Sequence, residues 1–260
     1  MPDAKKTRTS KTMAGHSKWA NIKHRKGAAD KRRSTLFTKL VKEIYVAAKI
    51  GDANPDSNPR LRVAIQNAKG QSVPKDNIER AINKAAGNTG ENFEDLVYEA
   101  YGIGGVGIII ECTTDNINRT VANLRTYLTK TGGSLATNGS LSFIFEQKGV
   151  FEFELPEGTD EDEITLELID GGADEVEIDG NFASVSCVRE DYGQLSKKLE
   201  ELDITPQKSG LQYVPSIFKE INADDAKKLA KLIDNLDNDD DVKSFYHNVE
   251  FSEEIADILN

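Results

Sequence analysis

From Gly15 to Lys26 the chain interleaves Lys18, Lys23, Arg25 and Lys26 with His16, His24, Trp19 and Ile22, and Lys31, Arg32 and Arg33 follow closely. Cations at this density neutralise phosphates and release the counterions condensed around them, a gain that added salt removes. An indole among them has two uses. It can stack on an exposed base, worth about 1–3 kcal/mol, or it can fill a gap in a helical core. Both uses stay open for Trp19 at this level.

Other candidate chemistry is thinner. Gly102-Ile103-Gly104-Gly105-Val106-Gly107 has the spacing G-x-G-x-x-G. A dinucleotide site needs a strand before that run and a helix N-terminus after it to hold the pyrophosphate. Here a strand follows and no clear strand precedes, so the run reads as a glycine turn entering a sheet. Asp237-Asn238-Asp239-Asp240-Asp241 opens like a calcium loop, but Val242 stands where the turn needs Gly and Asn248 where a bidentate Glu is needed. It reads as a solvated connection. His16, His24 and His247 have no cysteines at metal-ligand spacing. Neither a G-x-S-x-G elbow nor a phosphate-binding P-loop pattern occurs. The sequence supports no enzymatic chemistry, cofactor or metal.

Charge organises the chain more strongly than any motif. Residues 1–90 hold 20 Lys+Arg against 7 Asp+Glu, a balance of +13, while residues 91–260 carry −24, for a net charge of −11. The overall acidity therefore hides a basic region that seeks polyanions and an acidic body that does not. From Gly149 to Val188 there are 13 Asp+Glu and no Lys or Arg. That stretch reads either as a solubilising, nucleic-acid-repelling surface or as a docking face for a basic protein. Hydrophobic content of 38% with 30% charged residues fits a soluble globular protein. No apolar run approaches the ~18 residues of a membrane span. Cys112 and Cys187 are too few and too far apart for a disulfide scaffold, which suits a reducing cytoplasm.

These residues need elements to hold them. Residues 1–12 read as a disordered basic lead. Leu36, Phe37, Leu40, Val41, Ile44, Tyr45 and Ala48 recur at three-and-four spacing, one face of a helix, with Lys39, Lys42 and Lys49 on the opposite face and Gly51 as its stop. Asn58-Pro59 reads as an N-cap and first-turn proline opening a helix to Gly70 that carries Arg60 and Arg62. A third helix, Ser72 to Gly87, carries Lys75, Asn77, Arg80 and Lys84 and is the nearest thing to a base-reading helix. Three such stripes are buried only against one another, so a three-helix bundle with a basic outer face is expected.

Past about Asn92 the hydrophobic period shortens to two. Strands are expected at Val106–Glu111, Ser140–Glu146, Val150–Leu155, Glu175–Ile178, Phe182–Val188, from Ile204, at Gln212–Phe218 and at Ser244–Phe251. Helices are expected at Asn116–Lys130, Glu163–Ile169, Tyr192–Leu202 and Ala223–Leu236. Thr114, Asn116, Asn118 and Arg119 fall at a strand-to-helix turn, where backbone N–H groups can hold a phosphate or where an ordinary N-cap forms. The fold class is therefore α+β: an N-terminal three-helix bundle followed by two ferredoxin-like α+β domains, one inserted in the other. The expected boundaries are 13–90 for the basic helical domain, 91–148 plus 209–260 for a discontinuous α+β domain, and 149–208 for the acidic insertion.

Several stretches are long enough to name a resemblance. Met13-Ala14-Gly15-His16-Ser17-Lys18-Trp19-Ala20-Asn21-Ile22-Lys23-His24-Arg25-Lys26, Asn58-Pro59-Arg60-Leu61-Arg62, Pro74-Lys75-Asp76-Asn77-Ile78-Glu79-Arg80-Ala81-Ile82, Tyr98-Glu99-Ala100-Tyr101-Gly102 and Thr114-Asp115-Asn116 with Asn118-Arg119-Thr120 resemble, in order, stretches of the YebC/PmpR family. The chain departs from that pattern at Ala100 and Ile103, where Gly and Pro are common. The resemblance implies three domains, a cytoplasmic protein and a DNA-binding transcriptional regulator. Other members look like ribosome- or RNA-associated translation factors, the mitochondrial translational activator of cytochrome oxidase subunit one among them. The expected partner is thus nucleic acid, duplex DNA or ribosomal or messenger RNA, with the ribosome as a further partner, no membrane, and a monomer or weak oligomer. The expected contacts are Lys18, Trp19, Lys23, Arg25, Lys26, Lys31, Arg32, Arg33, Lys39, Arg60, Arg62, Lys75, Arg80, Asn116, Asn118 and Arg119.

Overall fold

The computed structural model describes residues 29–87 and 92–259, with side chains from Ser34 onward. Three helices come first: α1 (Ala29–Ile50), α2 (Pro59–Gly70) and α3 (Lys75–Ala86). Their apolar stripes meet in one core built on Ile44, Val46, Leu61, Ala68, Ile78 and Ala81. Asn58 joins two of them. Its Oδ1 accepts from Leu61 N–H to cap α2, while its Nδ2 donates to the carbonyls of Ala47 and Asp52 at the end of α1. Such a cap contributes about 1 kcal/mol, and here it also fixes the angle between the helices.

Two four-stranded antiparallel sheets follow. The first contains β1 (Glu94–Tyr101), β2 (Gly107–Thr114), β3 (Ser134–Leu135) and β8 (Val242–His247), in the spatial order β3-β1-β2-β8. The second contains β4 (Phe145–Glu154), β5 (Glu175–Asp179), β6 (Phe182–Val188) and β7 (Lys208–Pro215), in the order β5-β6-β4-β7. Helix α4 (Ile117–Thr131) lies between β2 and β3, with α7 (Ala223–Asp237) before β8 and α8 (Glu253–Leu259) after it. Helices α5 (Glu161–Asp170) and α6 (Tyr192–Glu201) complete the β4–β7 unit, whose β-α-β-β-α-β order and strand arrangement are ferredoxin-like.

Each sheet buries one face under its helices. Ile108, Ile110 and Cys112 of β2 pack on Leu124, Leu128, Leu229, Leu232 and Leu236. Phe151, Phe153, Val185 and Cys187 pack on Ile164, Leu168, Leu195 and Leu199. Strand β2 is buried on its other face too, because Ile109 joins Leu141, Ile144 and Phe145 in a small core between the sheets. This two-sided burial explains the unbroken run Val106 to Ile110, which alternation would not produce.

Four expectations for the sheets change. Strand β1 was not foreseen, because Glu94-Asp95-Leu96-Val97-Tyr98-Glu99 sets charged residues on a face that meets another part of the chain and so lacks clean alternation. In the first sheet β1 takes the place beside β2 that the third strand of a ferredoxin-like unit would fill. Residues 140–144 form turns, not a strand, and β4 runs unbroken from Phe145 within the second sheet. Likewise Gln212 onward belongs to β7, paired with β4, not to the first sheet. The last expected strand, Ser244 to Phe251, stops at His247, after which only Val249 keeps a bridge, to Lys219, and α8 begins beyond it.

Candidate nucleic-acid interface

Lys18, Trp19, Lys23, Arg25 and Lys26 lie outside the described residues, and Lys31, Arg32 and Arg33 fall in α1 ahead of the first described side chain. The other candidate contacts divide into those turned inward and those left facing solvent.

The lysines of α1 turn inward. Lys39 Nζ donates to the Leu236 carbonyl at 3.3 Å, at the C-terminal end of α7. A cation there also meets the negative end of the helix dipole. Burial lowers the Lys39 pKa despite the nearby charges of Asp237, Asp239 and Asp240. Lys42 Nζ donates to the carbonyls of Thr113 at 2.8 Å and Asp240 at 2.6 Å, and lies 3.6 Å from Asp241 Oδ1. Lys49 donates to the Gly87 carbonyl at 2.8 Å. Of the helix face expected to extend a positive surface, Lys39 and Lys42 are instead in a seam against the first sheet and its helices, and Lys49 is bonded to the end of α3.

Arginines of α2 do the same. Arg60 bonds Glu43 through Nε at 2.8 Å and Asp95 through Nη1 at 2.5 Å. Burial works against its charge, but the two carboxylates outweigh burial and raise the pKa further. Glu43 also receives Lys243 at 3.3 Å, so α1, α2, β1 and β8 share one ion network. Arg62 folds back onto the carbonyls of Pro55 and Asp56. Helix α3 differs. Lys75 and Arg80 are exposed, the first 3.4 Å from Glu79 and the second 3.4 Å from Asn77 Oδ1. Lys84 lies 4.8 Å from the centroid of the Tyr45 ring.

At the start of α4 the capping geometry is on view. Asn116 Oδ1 accepts from Arg119 N–H at 3.1 Å, and Thr114 Oγ1 accepts from Asn116 N–H. The Arg119 guanidinium holds both oxygens of Asp241 at 2.8 and 2.9 Å and reaches Asp115 at 2.7 Å. Asn118 stays exposed. Two carboxylates at this turn oppose a phosphate, so the cap and ion pair account for Thr114, Asn116 and Arg119.

Sequence reading missed the hub these bonds form. Asp241, its side chain 5% exposed, also accepts from Thr120 Oγ1, while Asp239 accepts from Asn123, Tyr127 and the N–H of Asp241 two residues on. The acidic run was the signal, but its spacing pointed to a metal loop. Here protein donors take those carboxylates. Among the described residues no group of His, Cys, Asp and Glu is arranged to hold a metal ion.

The remaining motifs also find places. Strand β1 does precede Gly102, correcting that expectation, yet β2 follows Gly107 and no helix N-terminus is offered to a pyrophosphate. Gly104 and Gly105 adopt φ of +69° and +80°, a left-handed turn that glycine allows at no steric cost. Cys112 and Cys187 are buried, which pushes their thiols up to about 12 and about 11 and away from the nucleophilic thiolate. Among the described residues no helix is long and apolar enough to cross a membrane.

Two family models cover nearly all of this architecture. Residues 17–88 match the TACO1/YebC protein N-terminal domain, and residues 93–249 match the TACO1/YebC second and third domain. The chain belongs to the TACO1/YebC family. Among TACO1/YebC relatives, a protein of Amoebophilus asiaticus (strain 5a2) named "Probable transcriptional regulatory protein" is 48% identical over 240 residues, covering 91% of this chain and 98% of its own. A crystal structure of a conserved hypothetical protein from Aquifex aeolicus is 38% identical, with a TM-score of 0.78 over 90% of this chain and 97% of that one. The N-terminal TACO1/YebC match spans the most basic part of the chain, Lys18 to Lys84, and the other spans the acidic part.

Proposed function

We propose that this chain is a non-enzymatic, nucleic-acid-binding regulator of gene expression that acts on duplex DNA as a transcriptional regulator. The observation that carries this reading is the partition of charge, +13 over residues 1–90 against −24 over 91–260. The family membership and the printed name of the 48% identical relative support it. With Lys39, Lys42, Arg60 and Arg119 already bonded to carbonyls and carboxylates of the chain, contact falls to Lys18, Trp19, Lys23, Arg25, Lys26, Lys31, Arg32 and Arg33, with Lys75 and Arg80 on α3 as flanking charges. The basic N-terminal region binds, the first sheet with its helices carries it, and the acidic β4–β7 unit keeps the complex soluble. The protein works in the cytoplasm.

The experiment is co-sedimentation of the full chain with ribosomes at physiological salt in the presence of excess duplex DNA. Transfer to the DNA, with sequence-dependent affinity in a following titration, is the expected result. Retention on ribosomes despite the competitor overturns the transcriptional reading and moves the function to translation.

A further inference from the structure

From Asp160 to Asp170, α5 and its N-cap hold six carboxylates in eleven residues, and no Lys or Arg occurs from Gly149 to Val188. Ile164 and Leu168 supply the helix's buried stripe and pack into the core of the β4–β7 unit. Leu166 lies about 200° round the helix from Ile164. It is 66% exposed, the most exposed large apolar side chain among the described residues. Ile169, 51% exposed, is three residues on and therefore beside it on the helix surface. Asp162 and Glu163 stand one turn before Leu166 and Asp170 one turn after it, all three exposed. Helix geometry alone thus sets two aliphatic side chains together in water, with carboxylates at both ends.

Neither helix stability nor solubility accounts for this face. Asp160 caps α5 through the N–H groups of Asp162 and Glu163, and acids in the first turn suit the positive end of the helix dipole. The last turn, however, carries Glu167 and Asp170 and no cation, where the dipole favours Lys or Arg. A solubilising surface gains from its charges and nothing from an exposed Leu and Ile. Neighbouring elements leave the charge standing. On α6, Lys198 is bonded to Glu167 and also faces Glu201 and Asp170, while Glu200 and Glu201 follow Lys197. Lys148 of β4 is held by Asp174 at 2.9 Å, and Arg189 bonds Gln147 at 3.0 Å.

We propose that the outer face of α5 is a docking surface for a basic amphipathic helix of a partner protein, with Leu166 and Ile169 against its apolar stripe and Asp162, Glu163 and Asp170 against its lysines and arginines. Charge complementarity selects this occupant. Nucleic acid and anionic lipid are repelled by the same carboxylates. A second copy meeting this face with its own would set carboxylates against carboxylates, because a two-fold contact pairs a patch with itself. A basic helix satisfies both features at once, since its apolar stripe covers the aliphatic pair and its flanking cations reach the acids on either side. The contact does not depend on the nucleic-acid reading and gives the acidic unit a role beyond solubility.

The test is fluorescence anisotropy of the full chain at physiological salt with a labelled Leu/Lys amphipathic helix of about 18 residues. A peptide of the same composition, rearranged so that its leucines share no face, is the comparison. The amphipathic peptide is expected to bind about tenfold or more tightly than the rearranged one, and Leu166→Ser with Ile169→Ser is expected to remove that advantage. Both side chains are exposed, so the urea midpoint of this variant should stay level. Asp170→Asn is expected to weaken binding about threefold and to flatten its salt dependence, without loss of stability, since it relieves the end of the helix. Equal binding of the two peptides overturns the surface, as does unchanged affinity in the Ser variant. A peptide of residues 13–26 of this chain that binds more tightly than the probe, through the same two side chains, overturns the foreign partner and gives the face to the chain's own basic region. Self-association of the parent that the Ser variant loses, read by sedimentation, overturns it in favour of a second copy.

Discussion

Asn67 of α2 and Ser209 of β7, 142 residues apart, exchange two hydrogen bonds of 2.8 Å, Asn67 Nδ2 donating to the Ser209 carbonyl and Ser209 N–H to Asn67 Oδ1. Strand β7 is the outermost strand of its sheet, and such a strand carries backbone groups without a ladder partner. The carboxamide stands in for the missing strand. One turn on, a Cβ at Gly70 would lie 2.2 Å from the Gln207 carbonyl oxygen, so only glycine allows the same approach. The helical region is thus joined to the second sheet here, and to the first through Lys39 and Lys42.

Asn67→Ala is expected to destabilise the chain by about 1–3 kcal/mol, because it strands a backbone donor and acceptor at a closed contact. A lower urea midpoint at unchanged slope is the expected reading. An unchanged midpoint would mean that water takes over both bonds.

Asp241 carries the second prediction. Burial raises its pKa, but the bonds from Arg119 and Thr120 and the charge of Lys42 outweigh burial and hold it below the usual aspartate range. Its stabilisation is therefore present above the unfolded value of about 3.9 and is lost as pH falls through the lower folded value. Breaking a buried pair costs about 3–5 kcal/mol, and half-exposed Arg119 is partly replaced by water, so Arg119→Ala is expected to cost about 2 kcal/mol. Acid titration of unfolding should also show the variant losing structure at a higher pH than the parent.

His247 gives an acid limb at milder pH. Complete burial lowers its pKa to about 4, so the folded state holds it neutral while the unfolded chain binds a proton near 6.5. The contribution is full above 6.5 and is lost as pH falls from there towards 4. Stability should drop by about 2 kcal/mol between pH 7 and pH 5. Urea midpoints at those two values test it, and His247→Phe should flatten that part of the profile even if its overall stability is lower.

Neutralising Lys23, Arg25, Lys26, Arg32 and Arg33 is expected to abolish duplex binding while leaving the fold. With five phosphates engaged, log K should fall against log salt with a slope near about −4.5. A flat dependence in the parent chain would remove the basic region from the interface. Lys42→Met should lower stability and leave the slope alone, since Lys42 already bonds Thr113 and Asp240.

The helices of the N-terminal region were legible because each signal is local. Asn58-Pro59 caps α2 and Ile78, Ala81 and Ala85 line one face of α3, whatever the rest of the chain does. The inner β-α-β-β-α-β unit was legible for the same reason, since Phe151, Phe153 and Val185 alternate with polar residues facing out. Strand β1 was not, because Asp95 owes its place to Arg60 and Thr113, partners 35 and 18 residues away.

Composition and order settled the partition of charge, the helix faces and the mixed architecture, all of which depend on neighbours within a turn or a pleat. Which cations remain available was decided in three dimensions. Lys39, Arg60 and Arg119 look like Lys75 and Arg80 in a string of letters, and each was a candidate contact. Folding placed the first three against buried carbonyls and carboxylates that come from distant segments, and left the other two in water. A charge has the same formal value in both settings, but its desolvation and its partners are set by the packing around it, and packing is not a property of any one segment.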